Sequence, residues 1–436
     1  MVGTDEGEAA MAAEEAAYER FVWDNLPRNF AGHFLHGMLG MTGFRLFNAP
    51  TFLPAYLYLL SGSDLVVGLG QSLQQLGGAV SPIVGATQIE HRKRVLPVSI
   101  LMGTLMRIQV LGVAVSGFFL HGRPLLIAIL GFLFLFGLFN GPQTVAFQLL
   151  LAKVIPISRR GLLQAVRNVT GGAIAAGLAW AAGRYIIGAN LFGNGYGTTF
   201  LLAFILTSLG LTALRLLMRE PDLPRVREKS RFSDRVREFP AMLAADRDFL
   251  FFMVAQTLAT AARVAAPFYI LFAGRTMSLD GANLGLVSLA FLGADTVTNL
   301  GWGLAGDRFG FRAAFIASLI LWAAWTALLL AAPGAGSDAQ MVILAAFFGL
   351  GAAQSGFLMS SQTMVLEFGA REEIAMRLAL VATAQGAMSA AGPLAGGLIA
   401  AVFGYPALFG VSIGFLLAAL AILLTLVREP RFRGVA

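Results

Sequence analysis

Apolar stretches long enough to cross hydrocarbon as a helix, about 20 residues, recur along this chain near 31–60, 64–88, 95–119, 124–151, 161–186, 197–218, 248–274, 281–305, 311–332, 340–366, 374–403 and 405–427. Inside a bilayer every backbone N–H and C=O needs a partner within the protein, which leaves helices and closed barrels. Runs this long are unlike the short alternating strands of a barrel. The chain is therefore expected to be an all-α membrane protein with twelve transmembrane helices.

The basic residues test that count, because cytoplasmic loops keep the positive charge. Alternate connections carry Arg92, Lys93 and Arg94, then Lys153, Arg159 and Arg160, then a run from Arg219 to Arg247, then Arg308 and Arg312, then Arg371 and Arg377. The flanks add Arg20 and Arg28 at one end and Arg428, Arg431 and Arg433 at the other, whereas the intervening connections hold only Arg123, Arg184 and Arg275. Such alternation requires an even number of spans with both termini cytoplasmic. It also explains a net charge of +7 without nucleic acid, since the charges sit in short clusters between apolar runs. With 57% hydrophobic and 13% charged residues, 436 residues could not clothe a water-soluble domain. The absence of Cys excludes a disulfide framework, and the four His residues lack metal-ligand spacing, so neither metal nor cofactor is expected. Met1 to Glu19 is acidic and Ala-rich, without the basic start and short apolar core of a cleaved signal. The first span is expected to direct insertion, and the Ala, Gly and Arg richness with little Lys suggests a bacterial inner membrane.

The two halves repeat. Arg219-Glu220-Pro221 ends the sixth span as Arg428-Glu429-Pro430 ends the twelfth, and Phe136-Gly137-Leu138 in the fourth answers Phe348-Gly349-Leu350 in the tenth. Ala49-Pro50 and Ala266-Pro267 each follow an Arg by a few residues in the first and seventh spans, and Gly68-Leu69 matches Gly285-Leu286. The nearly constant offset indicates two parallel six-helix units. The expected division is a cytoplasmic segment 1–30, a bundle 31–218, a linker 219–247, a second bundle 248–427 and a tail 428–436. In the linker Phe232, Val236, Phe239 and Leu243 recur at helical spacing opposite Arg231 and Arg235, which suits an amphipathic helix on the lipid surface or a solvated tether.

Between the eighth and ninth spans stands Gly303-Leu304-Ala305-Gly306-Asp307-Arg308-Phe309-Gly310-Phe311-Arg312. Twelve spans, a six-plus-six repeat, a basic central loop and this Gly-x-Leu-Ala-x-Asp-Arg-x-Gly-x-Arg pattern make the chain resemble the major facilitator superfamily of secondary transporters. The resemblance covers about residues 30 to 430 and implies two pseudo-symmetric six-helix bundles that work by alternating access. In that superfamily the signature lies between helices 2 and 3, with a copy between helices 8 and 9, and here the second copy is the better preserved. The first-half equivalent, Gly85 to Arg94, has Ile89 where Asp307 stands and places Glu90 one residue late. Asp307 and Arg308, with Glu90 and Arg92 on the other half, are the expected gating residues, an Asp docked on a neighbouring helix N-terminus holding one conformation. Proton-coupled drug antiporters of the family carry an Arg within helix 4 and a Gly-Pro motif in helix 5. The fourth span here has no basic residue away from its ends, and the fifth has Gly171-Gly172 without a Pro.

Ionisable side chains deep in a span are costly and point to function. Near mid-depth stand Arg45, Arg107, Arg263 and Asp295. Arg45 and Arg263 occupy matching places in the repeats, and the resemblance implies a central cavity lined by helices 1, 4, 7 and 10, so two guanidiniums facing it would clamp an anion. Structural pairing of each Arg is an equal alternative. Asp295 is expected either to neutralise Arg263 or to bind the coupling proton, with Asn299 one turn away on the same face. Gln143 and Gln354, in spans four and ten, come next as substrate ligands. For Gln71, Gln74, Gln75, Asn140 and Gln256, hydrogen bonding between helices is the expected role.

No nucleophile motif, P-loop or other catalytic pattern is present, so the chain is not expected to be an enzyme and a gradient must drive it. Its expected partners are lipids and a small organic anion, with a proton or counter-transported anion. One alternative is proton-coupled export of a hydrophobic or cationic compound or a lipid. Another is a membrane binding or assembly factor that has kept the fold without transport.

Overall fold

The computed structural model describes residues 2–89, 92–222, 243–244, 246–368 and 374–429, and among them there is no strand. Helix α1 (Val2–Asp24) precedes the first span. Its Ala and Glu residues favour helix without giving it an apolar stripe, so hydropathy passes it over. The Tyr18 hydroxyl fixes it by donating to the carbonyl of Lys153 at 2.7 Å.

Twelve spans follow, in two six-helix bundles. The first is broken into α2 (Leu26–Asn48) and α3 (Phe52–Ser61); α4 (Asp64–Ile89), α5 (Leu96–Phe119), α6 (Gly122–Val154), α7 (Ile157–Ala181) with a π turn at Ala182–Ile187, and α8 (Gly195–Leu217) complete the first bundle. The seventh span is α9 (Arg247–Ala261), a 3-10 stretch Ala262–Phe268 and α10 (Tyr269–Ala273). Then come α11 (Gly281–Phe309), α12 (Phe311–Ala331), α13 (Ala339–Val365) and α14 (Ile374–Thr425), the last holding two spans parted at Gly404, whose φ of +80° favours glycine. Length and hydropathy alone pick out seven continuous stretches among the described residues, and these omit the first, second and fifth spans. Polar residues and glycines dilute those three. The proposed amphipathic linker helix at Phe232, Val236 and Phe239 lies outside the described residues, as does Glu90.

Both repeats break at the same place. Pro50 and Pro267 each lack an N–H and crowd the preceding turn, so the first span stops at Asn48 and the seventh tightens into a 3-10 stretch. Arg45 sits in the last turn of α2 before the first break, and Arg263 lies within the 3-10 stretch of the second. The Gly303–Arg312 block is less of a loop than its composition implies. Helix α11 continues through Phe309, and only Gly310, at φ +89°, separates it from α12. A Cβ at Gly310 would meet the Glu429 carboxylate at 2.5 Å, so the end of the last span closes on this turn. Arg312 adds hydrogen bonds to the Leu423 carbonyl at 3.1 and 2.7 Å.

The bundles meet along α7 with α11 and α4 with α14. Glycines permit the approach: a Cβ at Gly281 would collide with Gly183 and Gly188, and one at Gly397 would meet the Asp64 carbonyl at 2.7 Å. Polar contacts join the halves on the same face. Thr51 and Ser288 share a hydrogen bond of 2.6 Å, the Leu394 amide donates to Ser72 at 2.9 Å, and the Tyr405 hydroxyl donates to Asp64 at 2.5 Å. The molecule is closed on the face opposite the termini.

That seal can be opened by one small-to-larger substitution. Gly281→Val overpacks a contact that has no room, which costs about 1–3 kcal/mol and raises the population open on that face by roughly ten- to a hundredfold. Because the chain has no Cys, a single Asn140→Cys in the interior is a clean reporter. A membrane-impermeant thiol reagent applied from the sealed face should label it faster in Gly281→Val, and unchanged labelling would show that another contact forms the seal.

Candidate functional site

Two adjoining compartments, of about 360 and 400 Å³, lie between the halves and share Phe44, Asn48, Pro50 and Gln354. Their walls come from spans one, four, seven and ten, with α4 and α11 added. The first, of about 360 Å³, is the setting for Arg263, and the second, of about 400 Å³, for Arg45 and Asp295.

Arg263 projects from the 3-10 stretch of the seventh span into the first compartment, and among the described residues its guanidinium has no hydrogen-bond or ion-pair partner. A charge held at that depth without a counter-ion is costly. The same fork of donors is free to meet the oxygens of an anion.

Arg45 has a different setting. Its Nη2 lies 2.6 Å from an Asp295 carboxylate oxygen, and its Nη1 donates to Thr296 at 3.1 Å. This pair ties α2 to the middle of α11, joining the two halves at the level where the seal ends. The two guanidiniums thus face adjoining compartments, but Asp295 pairs with Arg45 and not with Arg263. One charge is latched and the other is open.

The remaining candidates divide. Gln354 lines both compartments. Gln143 does not line them: it turns toward α5, donating to Ser99 at 3.4 Å, because the fourth span presents Phe136 and Asn140 to the interior. Asn299 lines the second compartment but donates to Ser355 at 3.1 Å, and Ser355 donates to the Asp295 backbone carbonyl at 3.0 Å, so it steadies the helix rather than the carboxylate. Arg107 is structural, donating to the carbonyls of Thr207 at 2.8 Å and Gly103 at 2.7 Å. Arg308 stacks on Phe309, 5.2 Å from its ring centre. Asp307 and Arg92 lie on the face bearing the chain ends and both have partners.

The amides were the missed feature. Gln71, Gln75 and Asn140 line the first compartment with Gln354, and among the described residues none of these four side chains has a hydrogen-bond partner. Gln74 donates to the Asn48 side chain at 2.6 Å, an amide pair on the same wall. The spacing Gln71, Gln74, Gln75, Gly78 places all four positions on one face of α4, a signal visible in the sequence. What it lacked was the direction of that face.

A family model described as the Major Facilitator Superfamily matches residues 249–435. A search of the curated proteins finds no match. Among solved structures, a mutant of the nucleoside transporter NupG superposes with a TM-score of 0.71 at 12% identity, covering 91% of this chain and 99% of that one. A D-xylose–proton symporter gives 0.65 at 16% identity, covering 93% and 98%. The human organic anion transporter MFSD10 (TETRAN) gives 0.59 at 18%, covering 91% and 99%. These likenesses run the length of the chain and show its fold, and the family match falls on the half that carries the Gly303–Arg312 signature. Residues 249–435 thus match the major facilitator superfamily, and the chain along its length has the fold of these secondary transporters.

Proposed function

We propose that this transporter carries a small organic anion, bound through Arg263. The supporting observation is that guanidinium, unpartnered among the described residues, inside an otherwise uncharged compartment of about 360 Å³. Unlike a two-Arg clamp, the anchor is single, because Asp295 already holds Arg45. The halves 31–218 and 248–427 rock about this site, with 219–247 as tether, in a bacterial inner membrane with both termini cytoplasmic. In that orientation the face joined by Thr51–Ser288 and Tyr405–Asp64 is the periplasmic one, and Asp307 and Arg308, with Glu90 and Arg92, latch the opposite conformation.

In liposomes containing the purified protein, Arg263→Ala is expected to reduce counterflow of the anion about 100-fold or more, since a desolvated charged contact is lost. Arg263→Lys keeps the charge without the fork and should retain part of it. Unchanged counterflow in Arg263→Ala would reject the anchor.

A second reading is proton-coupled export of a hydrophobic or cationic compound, favoured by the Arg45–Asp295 pair. A carboxylate that holds the halves together when charged and releases them when protonated is a coupling device.

A further inference from the structure

The open guanidinium explains an anion but not the wall opposite it. Building on the Arg263 reading, we infer that the anion is polyhydroxylated: a sugar-acid-like carboxylate whose hydroxyl groups are bound by the amides of Gln71, Gln75, Asn140 and Gln354 and by the Asn48–Gln74 pair.

Gln71 and Gln354 are half-buried and Gln75 and Asn140 are exposed to the space between the halves, so water serves these amides until a ligand displaces it. Outside the compartment Gln109 donates to the Leu105 carbonyl at 3.0 Å, whereas the buried Gln256, expected to bond between helices, has no side-chain partner among the described residues. In the first compartment four amides keep donor and acceptor both free of protein partners among the described residues, and Gln74 and Asn48, bonded to each other at 2.6 Å, line the same space. An amide offers one donor and one acceptor group, and a hydroxyl can satisfy either. The amides also come from spans one, two, four and ten, so they surround a volume rather than follow an edge. A flat base presents its polar atoms along an edge, whereas a polyol carries hydroxyls around a chain or ring. Phe44 and Phe136, edge to face at 5.8 Å, supply an apolar surface on the same wall for the carbon backbone. The volume of about 360 Å³ holds roughly twelve waters at about 30 Å³ each, room for one six-carbon acid.

Full-length protein in nanodiscs, tested by ligand-dependent thermal shift, separates this from a plain anion site. The probes are gluconate, galactonate and glucuronate, with hexanoate lacking the hydroxyls and sorbitol lacking the carboxylate. At least one sugar acid should stabilise the protein at concentrations about 100-fold or more below hexanoate, since a site built for hydroxyls rejects analogues without them. Gln71→Leu with Gln75→Leu, and separately Asn140→Leu, should weaken the sugar acid about tenfold or more while hexanoate weakens little, the unliganded melting curve checking that each variant folds. Equal response to sugar acids and hexanoate, moved alike by these substitutions, would overturn the hydroxylated class and leave the Arg263 anchor standing. Sorbitol binding as tightly as the acids, unaffected by Arg263→Ala, would overturn the anchor itself. No response to any of the three acids would also overturn the inference.

Discussion

Replacing Glu220 by Ala is expected to destabilise the folded protein by about 3–5 kcal/mol, the cost of breaking a buried ion pair from one side. Glu220 and Lys153 are 2.8 Å apart, each with a side chain only 3% exposed. The same carboxylate accepts from the amides of Val95 at 2.6 Å and Leu96 at 2.9 Å, which caps the first turn of α5 at its positive dipole end. One acidic group therefore ties spans three, four and six together, and the repeated Arg-Glu-Pro sequence acquires a physical purpose. In the other half Glu429 lies against Gly310 at the start of α12. Lys153→Met should cost less, because Glu220 keeps two backbone donors, while Lys153 stranded by Glu220→Ala keeps only the Lys93 carbonyl at 2.6 Å. Thermal midpoints of detergent-purified protein should fall in the order wild type, Lys153→Met, Glu220→Ala. Equal midpoints would show that the cap contributes nothing beyond the charge pair.

The fold was legible because hydropathy length and the alternation of Arg and Lys are both imposed by the bilayer and leave their marks in one dimension. The breaks at Pro50 and Pro267 were visible for a similar reason, since a proline acts on its own turn. The site was legible only in part. A mid-span Arg or Asp announces a cost, but the partner that relieves it is chosen by helix rotation, and rotation is set by contacts such as Gly137 on Gln74 that no local pattern states. Hence Asp295 was expected beside Arg263 as readily as anywhere, and it pairs with Arg45 across the two halves. The same gap misplaced Gln143 and undervalued Gln71 and Gln75. Amides carry no charge to betray an unmet need, so whether they are spent is decided only by where their helix faces.

The Arg45–Asp295 contact should behave as a conformational latch, and its disruption should show in both stability and coupling. At 2.6 Å, with side chains 21% and 15% exposed, the pair is mostly shielded from water, and it is the one ion pair joining the halves among the described residues. Removing either partner leaves the other without its counter-charge beside a low-dielectric wall, which costs several kcal/mol in the closed state. Arg45→Ala and Asp295→Ala should each lower the thermal midpoint, whereas the double substitution should recover much of the loss. The coupling energy from that cycle is expected within about 0.5–3 kcal/mol. A latch of the closed face is broken when that face opens, so each single change should also speed labelling of Asn140→Cys from that face. Asp295→Asn then separates latch from proton carrier. It keeps a hydrogen-bonding group near Arg45 but cannot take up a proton, so a coupling role predicts that counterflow persists while accumulation driven by a pH gradient is lost. If accumulation and counterflow fall together in Asp295→Asn, the carboxylate serves closure alone and the proton-coupled export reading loses its support.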